Sequence, residues 1–338
     1  MKKRVSLFKS AASIVVVAGM ALGVVGCSST ESESESSADV TSSADGAYPV
    51  SIATKFGDVT VESQPERVVA LGWGDAEAAL EFGVQPVGAS DWLAFGGEGV
   101  GPWIEDSAYD EAPEIIGTME PEYEKIAALE PDLILDVRSS GDQERYDKLS
   151  SIAPTIGVPE GGDSYLTPRA EQVTMIATAL GQAERGEEVN AEYEQLTADI
   201  RAAHPGWSEK TAAAVSATAT SWGAYIKGSN RVDTLLDLGF QENPELAKQQ
   251  PDDTGFSIKF SEETFGVVDS DLVVGFAIGM TPEEMAEQVP WQMLTATRDG
   301  RSFVMPREIS NAFSLGSPQS TRFALDALVP LLEEHAGE

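Results

Sequence analysis

A phrase that reads as a short helix followed by a strand occurs twice in the 338-residue chain, and it limits the possible folds. Residues 123–137 read YEKIAALEPDLILDV and residues 261–276 read SEETFGVVDSDLVVGF, so that Glu124 aligns with Glu263. In each copy, two apolar residues three positions apart precede a polar break and an apolar run, which is typical of a strand buried on both faces. The repetition predicts two similar α/β units.

The sequence on either side of a central helical region supports a division into two α/β units. From residue 48 to 167, and again from 207 to 338, strand-like apolar runs alternate with helical patterns, which predicts mostly parallel sheets. Residues 168–206 instead contain two helical patterns, and the second, 183–204, has one apolar stripe and would reach roughly 33 Å. We therefore predict an α/β fold of two doubly wound lobes joined by a single long α-helix, with a ligand cleft between the lobes.

The N-terminal region reads as a targeting segment and a tether. Residues 1–26 are basic and then apolar, as in a signal peptide, and end before Cys27, the single cysteine. This junction resembles a bacterial lipobox, which implies cleavage before Cys27 and lipidation of its thiol. Residues 27–47 are rich in Ser and Glu and predict a flexible tether. We expect a lipid-anchored protein at the outer face of the cytoplasmic membrane.

Charge and motifs exclude several function classes. The net charge is −34, and loss of residues 1–26, which hold four basic and no acidic residues, would make it −38. Nucleic acid is therefore not an expected partner. The chain has only His204 and His335, which argues against a zinc or manganese site, and we predict no protein metal site. It has no G-x-S-x-G or phosphate-loop motif, so we do not expect an enzyme.

Five phrases, in this order and spacing, resemble the periplasmic-binding-protein-like lipoproteins that serve ABC importers for ferric siderophores, haem and cobalamin. They are PERVVALGWGDAEAALEFGVQPVGAS, EYEKIAALEPDLILDV, YDKLSSIAPTI, TLLDLGF and FSEETFGVVDSDLVV. The resemblance implies a monomer that captures a ferric siderophore and delivers it to an ABC permease dimer, with iron held by the chelator and no protein cofactor. Haem or cobalamin as the ligand remains an alternative. An extracellular hydrolase or adhesin is a less favoured one.

The resemblance also implies a role for the two aligned glutamates. In that family one surface glutamate on each lobe docks onto arginine pockets of the permease, and the matching positions are Glu124 and Glu263, with Glu262 as a neighbouring alternative to the latter. On pattern alone, Glu124 and Glu263 could equally be solvated acids in a first helical turn, where the helix dipole favours negative charge.

Candidate ligand contacts follow from a general rule for open α/β sheets, whose ligands bind beyond the carboxyl ends of the strands. Aromatic and arginine side chains suit a bulky chelate and its oxygens, and those near predicted strand ends are Trp73, Trp92, Arg138, Trp222, Tyr225 and Arg307. Arg231 either joins them or serves the start of its helix. Some siderophore-binding relatives carry an arginine just ahead of the docking glutamate, and the stretch GTMEPEYE (117–124) has none. This difference favours a hydroxamate or mixed-type siderophore over a catecholate.

Overall fold

The computed structural model describes residues 47–105 and 108–337. The predicted signal peptide, Cys27 and the tether as far as residue 46 lie outside these ranges.

The first lobe contains an antiparallel hairpin, β1–β2, and a five-stranded parallel sheet in the order β5-β4-β3-β6-β7. Its strands are β1 (Val50–Thr54), β2 (Gly57–Val61), β3 (Val68–Ala70), β4 (Gly88–Ser90), β5 (Glu114–Ile116), β6 (Leu133–Leu135) and β7 (Thr155–Ile156). The central strands are buried on both faces, which explains their continuous apolar runs.

Helices cover both faces of this sheet. They are α1 (Asp75–Glu81), α2 (Tyr123–Ala128), α3 (Gln143–Ser150) and α4 (Arg169–Ala179). Apolar residues of α1 and α4 share one core cluster with the sheet, and those of α2 and α3 share a second cluster on the other face. The lobe is therefore doubly wound, as predicted.

The long helix α5 (Ala183–Ala203) has 21 residues and spans roughly 32 Å. Val189 belongs to the core of the first lobe, whereas Tyr193, Leu196 and Ile200 pack against a core cluster of the second lobe. One stripe of the helix therefore contacts both lobes.

The second lobe is built on a six-stranded mixed sheet in the order β11-β9-β8-β12-β13, with β10 pairing β8. Its strands are β8 (Thr211–Ala217), β9 (Trp222–Tyr225), β10 (Gln241–Glu242), β11 (Ser257–Phe260), β12 (Leu272–Ala277) and β13 (Ser302–Val304). Its helices are α6 (Asn230–Asp237), α7 (Pro282–Ala286), α8 (Val289–Met293), α9 (Thr295–Arg298), α10 (Arg307–Leu315) and α11 (Pro318–Ala336). The pairs β8–β12 and β12–β13 are parallel, and β9 is antiparallel to β8.

The repeated phrase occupies equivalent places in the two sheets. In the first lobe its strand is β6, which pairs with β3, and in the second it is β12, which pairs with β8. The preceding residues Ile126 and Phe265 are both buried against their sheets. The two-lobed α/β fold predicted from this phrase is confirmed.

The helical part of the phrase differs between the copies. Glu124 lies in the first turn of α2, but Glu263 precedes a single 3₁₀ turn, Phe265–Val268. The prediction that both glutamates head a helix is therefore wrong for Glu263. Gly266 and the β-branched pair that follows it have lower helix propensity than the Lys-Ile-Ala-Ala run of α2.

The lobes also meet where α1 contacts α11, at a buried carboxylate. Glu77 accepts hydrogen bonds from the backbone N–H of Gly101 at 3.0 Å and from Nε1 of Trp103 at 2.8 Å. It also accepts one from the hydroxyl of Ser317, the N-cap of α11. Burial raises the pKa of Glu77, and these hydrogen bonds oppose that effect. We call this contact the α1–α11 seam.

Within the described ranges, no helix has both the length and the apolar character needed to cross a membrane.

Candidate functional site

Four aromatic rings from the two lobes form a continuous group. The first lobe contributes Trp73, Trp92 and Tyr165, and the second contributes Phe256. The ring centroids of Trp73 and Trp92 lie 5.3 Å apart, as do those of Trp92 and Tyr165. Tyr165 and Phe256 meet edge to face across the lobes, with centroids 6.5 Å apart. We call these four residues the aromatic group.

The polar edges of the two tryptophans are held by main-chain oxygens. Trp73 donates from Nε1 to the carbonyl of Ser314 in the second lobe at 3.0 Å, and Trp92 donates to the carbonyl of Leu71 at 2.9 Å. Both rings are partly exposed. Their orientation is therefore fixed while part of each apolar surface stays accessible, which suits the binding of a flat or bulky ligand.

Arg231, at the start of α6, lies against this group. Its guanidinium carbon is 4.2 Å from the ring centroid of Tyr225 and 5.6 Å from that of Trp73. Nε donates to the hydroxyl of Ser314 at 3.0 Å, while the two terminal nitrogens have no hydrogen bond or ion pair to any described residue. These nitrogens can donate to the oxygens of a ligand.

Arg138 also lies between the lobes but is only 3% exposed. It donates to the carbonyl of Tyr165 at 3.3 Å and to that of Leu315 in the second lobe at 3.2 Å. Burial, followed by the charge of Arg231, lowers its pKa to about 10, so it stays charged at neutral pH. The bond to Leu315 joins the two lobes, and the bond to Tyr165 holds Arg138 within the first lobe.

Three further sequence-predicted contacts, Trp222, Tyr225 and Arg307, lie outside the aromatic group. Trp222 is a correction, because its ring is only 4% exposed and packs on Phe265, with centroids 4.2 Å apart, in a core cluster. Tyr225, three residues later on β9, points to the opposite face, as the two-residue period of a strand requires, and lies under Arg231. Arg307 begins α10 and donates to the carbonyl of Met280 at 2.9 Å, without a ring or hydrogen-bond contact to the aromatic group.

Two members of the aromatic group were missed from the sequence. Tyr165 lies in the loop after β7. The rule that ligands bind beyond the carboxyl ends of the strands, called here the strand-end rule, selected Trp73 and would also have selected Tyr165. Its φ of 63° lies in the left-handed region, which a non-glycine residue adopts at a cost and which is common at functional sites. Phe256 lies at the amino end of β11, an edge strand antiparallel to β9. The strand-end rule concerns carboxyl ends and therefore could not select it.

A buried carboxylate positions the loops that carry Trp73 and Arg138. Asp75 is the first residue of α1, and Gly74, with φ of 80°, is the N-cap of this helix. Its carboxylate accepts from the backbone N–H of Val137 at 2.8 Å and from Nε2 of Gln172 at 2.6 Å. Burial is the main cause that raises its pKa from 3.8 to about 7.

Replacing Asp75 with asparagine should reduce the dependence of stability on pH. The folded protein holds a proton on Asp75 up to about pH 7, whereas the unfolded chain releases it near pH 4. The free energy of unfolding should therefore fall as pH rises between these values, by up to about 1.4 kcal/mol per pH unit, and level off above about pH 7. Chemical denaturation of both proteins across this range measures the difference. Equal slopes for the two proteins would contradict the assignment.

The aligned glutamates are both exposed, one on each lobe. Neither Glu124 nor Glu263 forms an ion pair or a side-chain hydrogen bond with another described residue. Their carboxylates are therefore available to a partner.

The described ranges contain no group of three or more His, Cys, Asp or Glu side chains that could hold a metal ion. The histidines are engaged elsewhere. His204 stacks on Trp207, and His335 stacks on Phe303 and contacts the carbonyl of Gly300.

The comparison with known families agrees with this architecture. The model of a periplasmic binding protein family matches residues 68–309, which include the parallel sheet of the first lobe, α5 and the whole sheet of the second lobe. The chain belongs to the periplasmic binding protein family. The prediction of a periplasmic-binding-protein-like solute-binding protein is thereby confirmed.

Individual proteins similar to this chain match it over most of their length. The chain is 28% identical over 320 residues to the "Probable siderophore-binding lipoprotein YfiY" of Bacillus subtilis, with 89% of this chain and 90% of the relative covered. A periplasmic solute binding protein of Mycobacterium smegmatis has a TM-score of 0.74 at 25% identity, covering 86% and 99% of the two chains. PiaA of Streptococcus pneumoniae, solved in complex with ferrichrome, has a TM-score of 0.71 at 24% identity, covering 85% and 98%.

Proposed function

We propose that this protein captures a ferric siderophore outside the cytoplasmic membrane and delivers it to an ABC import permease, while a lipid on Cys27 tethers it to the membrane. Relatives carry compatible names, since YfiY is called a siderophore-binding lipoprotein and the PiaA structure contains ferrichrome.

One observation carries the proposal: a guanidinium with two unengaged nitrogens lies beside aromatic rings that come from both lobes. Arg231 approaches Trp73 of the first lobe and Tyr225 of the second. A ferric siderophore combines a bulky chelate with outward oxygens, so rings and a guanidinium suit it better than either would alone. The iron is coordinated by the chelator and requires no protein ligand.

The ligand class we propose is a hydroxamate or mixed-type siderophore. Beside the aromatic group, Arg231 is the guanidinium whose two terminal nitrogens have no partner among the described residues, whereas Arg138 is buried and donates to the carbonyls of Tyr165 and Leu315. A strongly anionic catecholate would call for more positive charge in the cleft.

A ligand panel tests the function. Thermal unfolding of the unlipidated domain should shift upwards in a saturable manner with a ferric trihydroxamate such as ferrichrome, because a ligand that binds only the folded state stabilises it. The panel should also contain a ferric tris-catecholate, haem and cyanocobalamin. If only haem or only cobalamin raised the unfolding temperature, that compound would be the ligand instead of a siderophore. If no compound of the panel raised it, the proposed function would be contradicted. Mass spectrometry of ligand that co-purifies from iron-starved cells identifies the natural compound.

Permease docking through one carboxylate on each lobe is the second part of the proposal. Glu124→Ala combined with Glu263→Ala should lower siderophore uptake about tenfold, because two charge-assisted contacts with the permease are lost. Ligand affinity should not change, since neither residue belongs to the aromatic group. Uptake of radioactive iron-siderophore by cells that carry the variant measures the effect.

The matched control is Glu62→Ala combined with Glu334→Ala, which removes the same charge from two other exposed positions. If both double variants lowered uptake equally, the effect would come from net charge. If the Glu124 and Glu263 variant took up siderophore normally, these residues would have no docking role.

A further inference from the structure

A cavity of about 960 Å³ lies between α5 and the two lobes. Thr167 of the first lobe, Thr197 of α5 and Gly228 of the second lobe are among its walls. Neither the aromatic group nor Arg231 lines it, and Arg138 is the residue it shares with the candidate siderophore site. We call this space the connector cavity.

Basic side chains are concentrated in its walls, although the chain as a whole is strongly acidic. They are Arg138, Arg169, Arg201 and Lys227. Arg138 is buried and Arg169 mostly buried, and no carboxylate of a described residue lies within ion-pair distance of either. The guanidinium of Arg169 instead lies over the ring of Tyr193, 3.6 Å from its centroid.

The acids of the same walls are engaged by other groups. Asp237 accepts from the hydroxyl of Tyr193 at 2.7 Å, and Asp233 accepts from the backbone N–H of Gly228 at 2.8 Å. Glu194 is exposed to solvent. None of the three forms an ion pair with the guanidinium of Arg138 or of Arg169.

The electrostatic state of the two arginines agrees with this geometry. Burial is the main cause that lowers the pKa of Arg169 and of Arg138, and the charge of Arg169 lowers the pKa of Arg138 further. The charges of Asp237 near Arg169 and of Asp233 near Arg138 oppose these shifts without cancelling them. A charge that is buried without a directly paired counter-charge is unfavourable, and a bound anion would remove that cost.

We propose that the connector cavity binds a small multivalent oxyanion, a carboxylate or a phosphate compound, through the guanidiniums of Arg138 and Arg169 and the exposed ammonium of Lys227. The planar fork of arginine matches both oxyanion classes. Because the cavity walls come from both lobes and α5, the anion links the lobes to the connecting helix from a space that neither the aromatic group nor Arg231 lines.

Calorimetric titration of the full mature chain, free of siderophore, tests this site. The probes are citrate and inorganic phosphate, with ionic strength held constant by sodium chloride. We expect saturable binding of one or both anions, and the one that binds identifies the oxyanion class. Arg169→Gln should weaken it about tenfold or more, as expected for a lost charge-assisted hydrogen bond, whereas Arg169→Lys should retain part of the affinity. Lys227→Gln should weaken it about two- to fivefold.

The control is Lys248→Gln, which removes an exposed charge that is paired with Glu245 away from the cavity. Its anion affinity should equal that of the unchanged protein. Lys227 is exposed, so its variant decides the question even if Arg169→Gln does not fold. The proposal is overturned if neither anion shows saturable binding, or if Lys227→Gln and Lys248→Gln bind the anion equally. Titration of the same variants with ferric siderophore separates this site from the proposed transport function.

Discussion

Arg231→Ala is expected to weaken ferric siderophore binding about 10- to 100-fold. The substitution removes the guanidinium whose terminal nitrogens remain free to donate to ligand oxygens, and a hydrogen bond to a charged group contributes about 1.5–3 kcal/mol. It also removes the cation that lies over Tyr225 and beside Trp73. Arg231→Lys keeps the charge but not the planar fork, so its affinity should fall between those of the alanine variant and the unchanged protein.

Quenching of tryptophan fluorescence during titration with a ferric siderophore measures this effect, since Trp73 and Trp92 belong to the aromatic group. Arg298→Ala is the control, because Arg298 is an exposed arginine of α9 whose Nε bonds only to a carbonyl in its own segment. Its affinity should be unchanged. An alanine variant of Arg231 that binds as tightly as Arg298→Ala would remove Arg231 from the binding site.

Glu77→Ala should cost about 3 kcal/mol or more of the free energy of unfolding. The change leaves the N–H groups of Gly101 and Trp103 and the hydroxyl of Ser317 without their shared acceptor, and each orphaned buried group costs about 1–3 kcal/mol. Ser317→Ala removes one of these bonds and the N-cap of α11, so its cost should be smaller, about 1–2 kcal/mol.

Urea denaturation at neutral pH measures these differences. Glu187→Ala provides the control, because Glu187 is an exposed residue of α5 without a side-chain partner among the described residues, and its stability should change by less than about 0.5 kcal/mol. A loss below about 1 kcal/mol for Glu77→Ala would mean that the α1–α11 seam contributes little to holding the lobes together.

The fold could be predicted because its signals are local. The repeated phrase gave two helix–strand units, and the stripe from Val189 to Ile200 gave the long helix, since each pattern lies within a few turns of chain. The helical part of the second copy was the error: the apolar spacing of Phe265 and Val268 fits a 3₁₀ turn as well as a short α-helix.

The candidate site was predictable only in part. The strand-end rule selected Trp73, Trp92 and Arg138, which lie where the lobes meet, but it cannot tell which face of a strand a side chain occupies, and it therefore misplaced Trp222. The role of Asp75 depends on a partner 97 positions away in the chain, and that of Glu77 on one 240 positions away. Hydrogen bonds between residues so far apart along the chain produce no periodic pattern in the sequence.

The separation of the two sheets along the chain bears on how the protein is assembled. All strands of the first sheet lie before residue 157 and all those of the second lie after residue 210, so each can form from one continuous stretch. Chains that are made from the N-terminus fold their first unit first. The first lobe can therefore form before the second lobe is available to fold. The hydrogen bonds of Trp73 to Ser314 and of Glu77 to Ser317 can form only after the second lobe has folded. Until then, the indole N–H of Trp73 and the carboxylate of Glu77 lack these partners and face water.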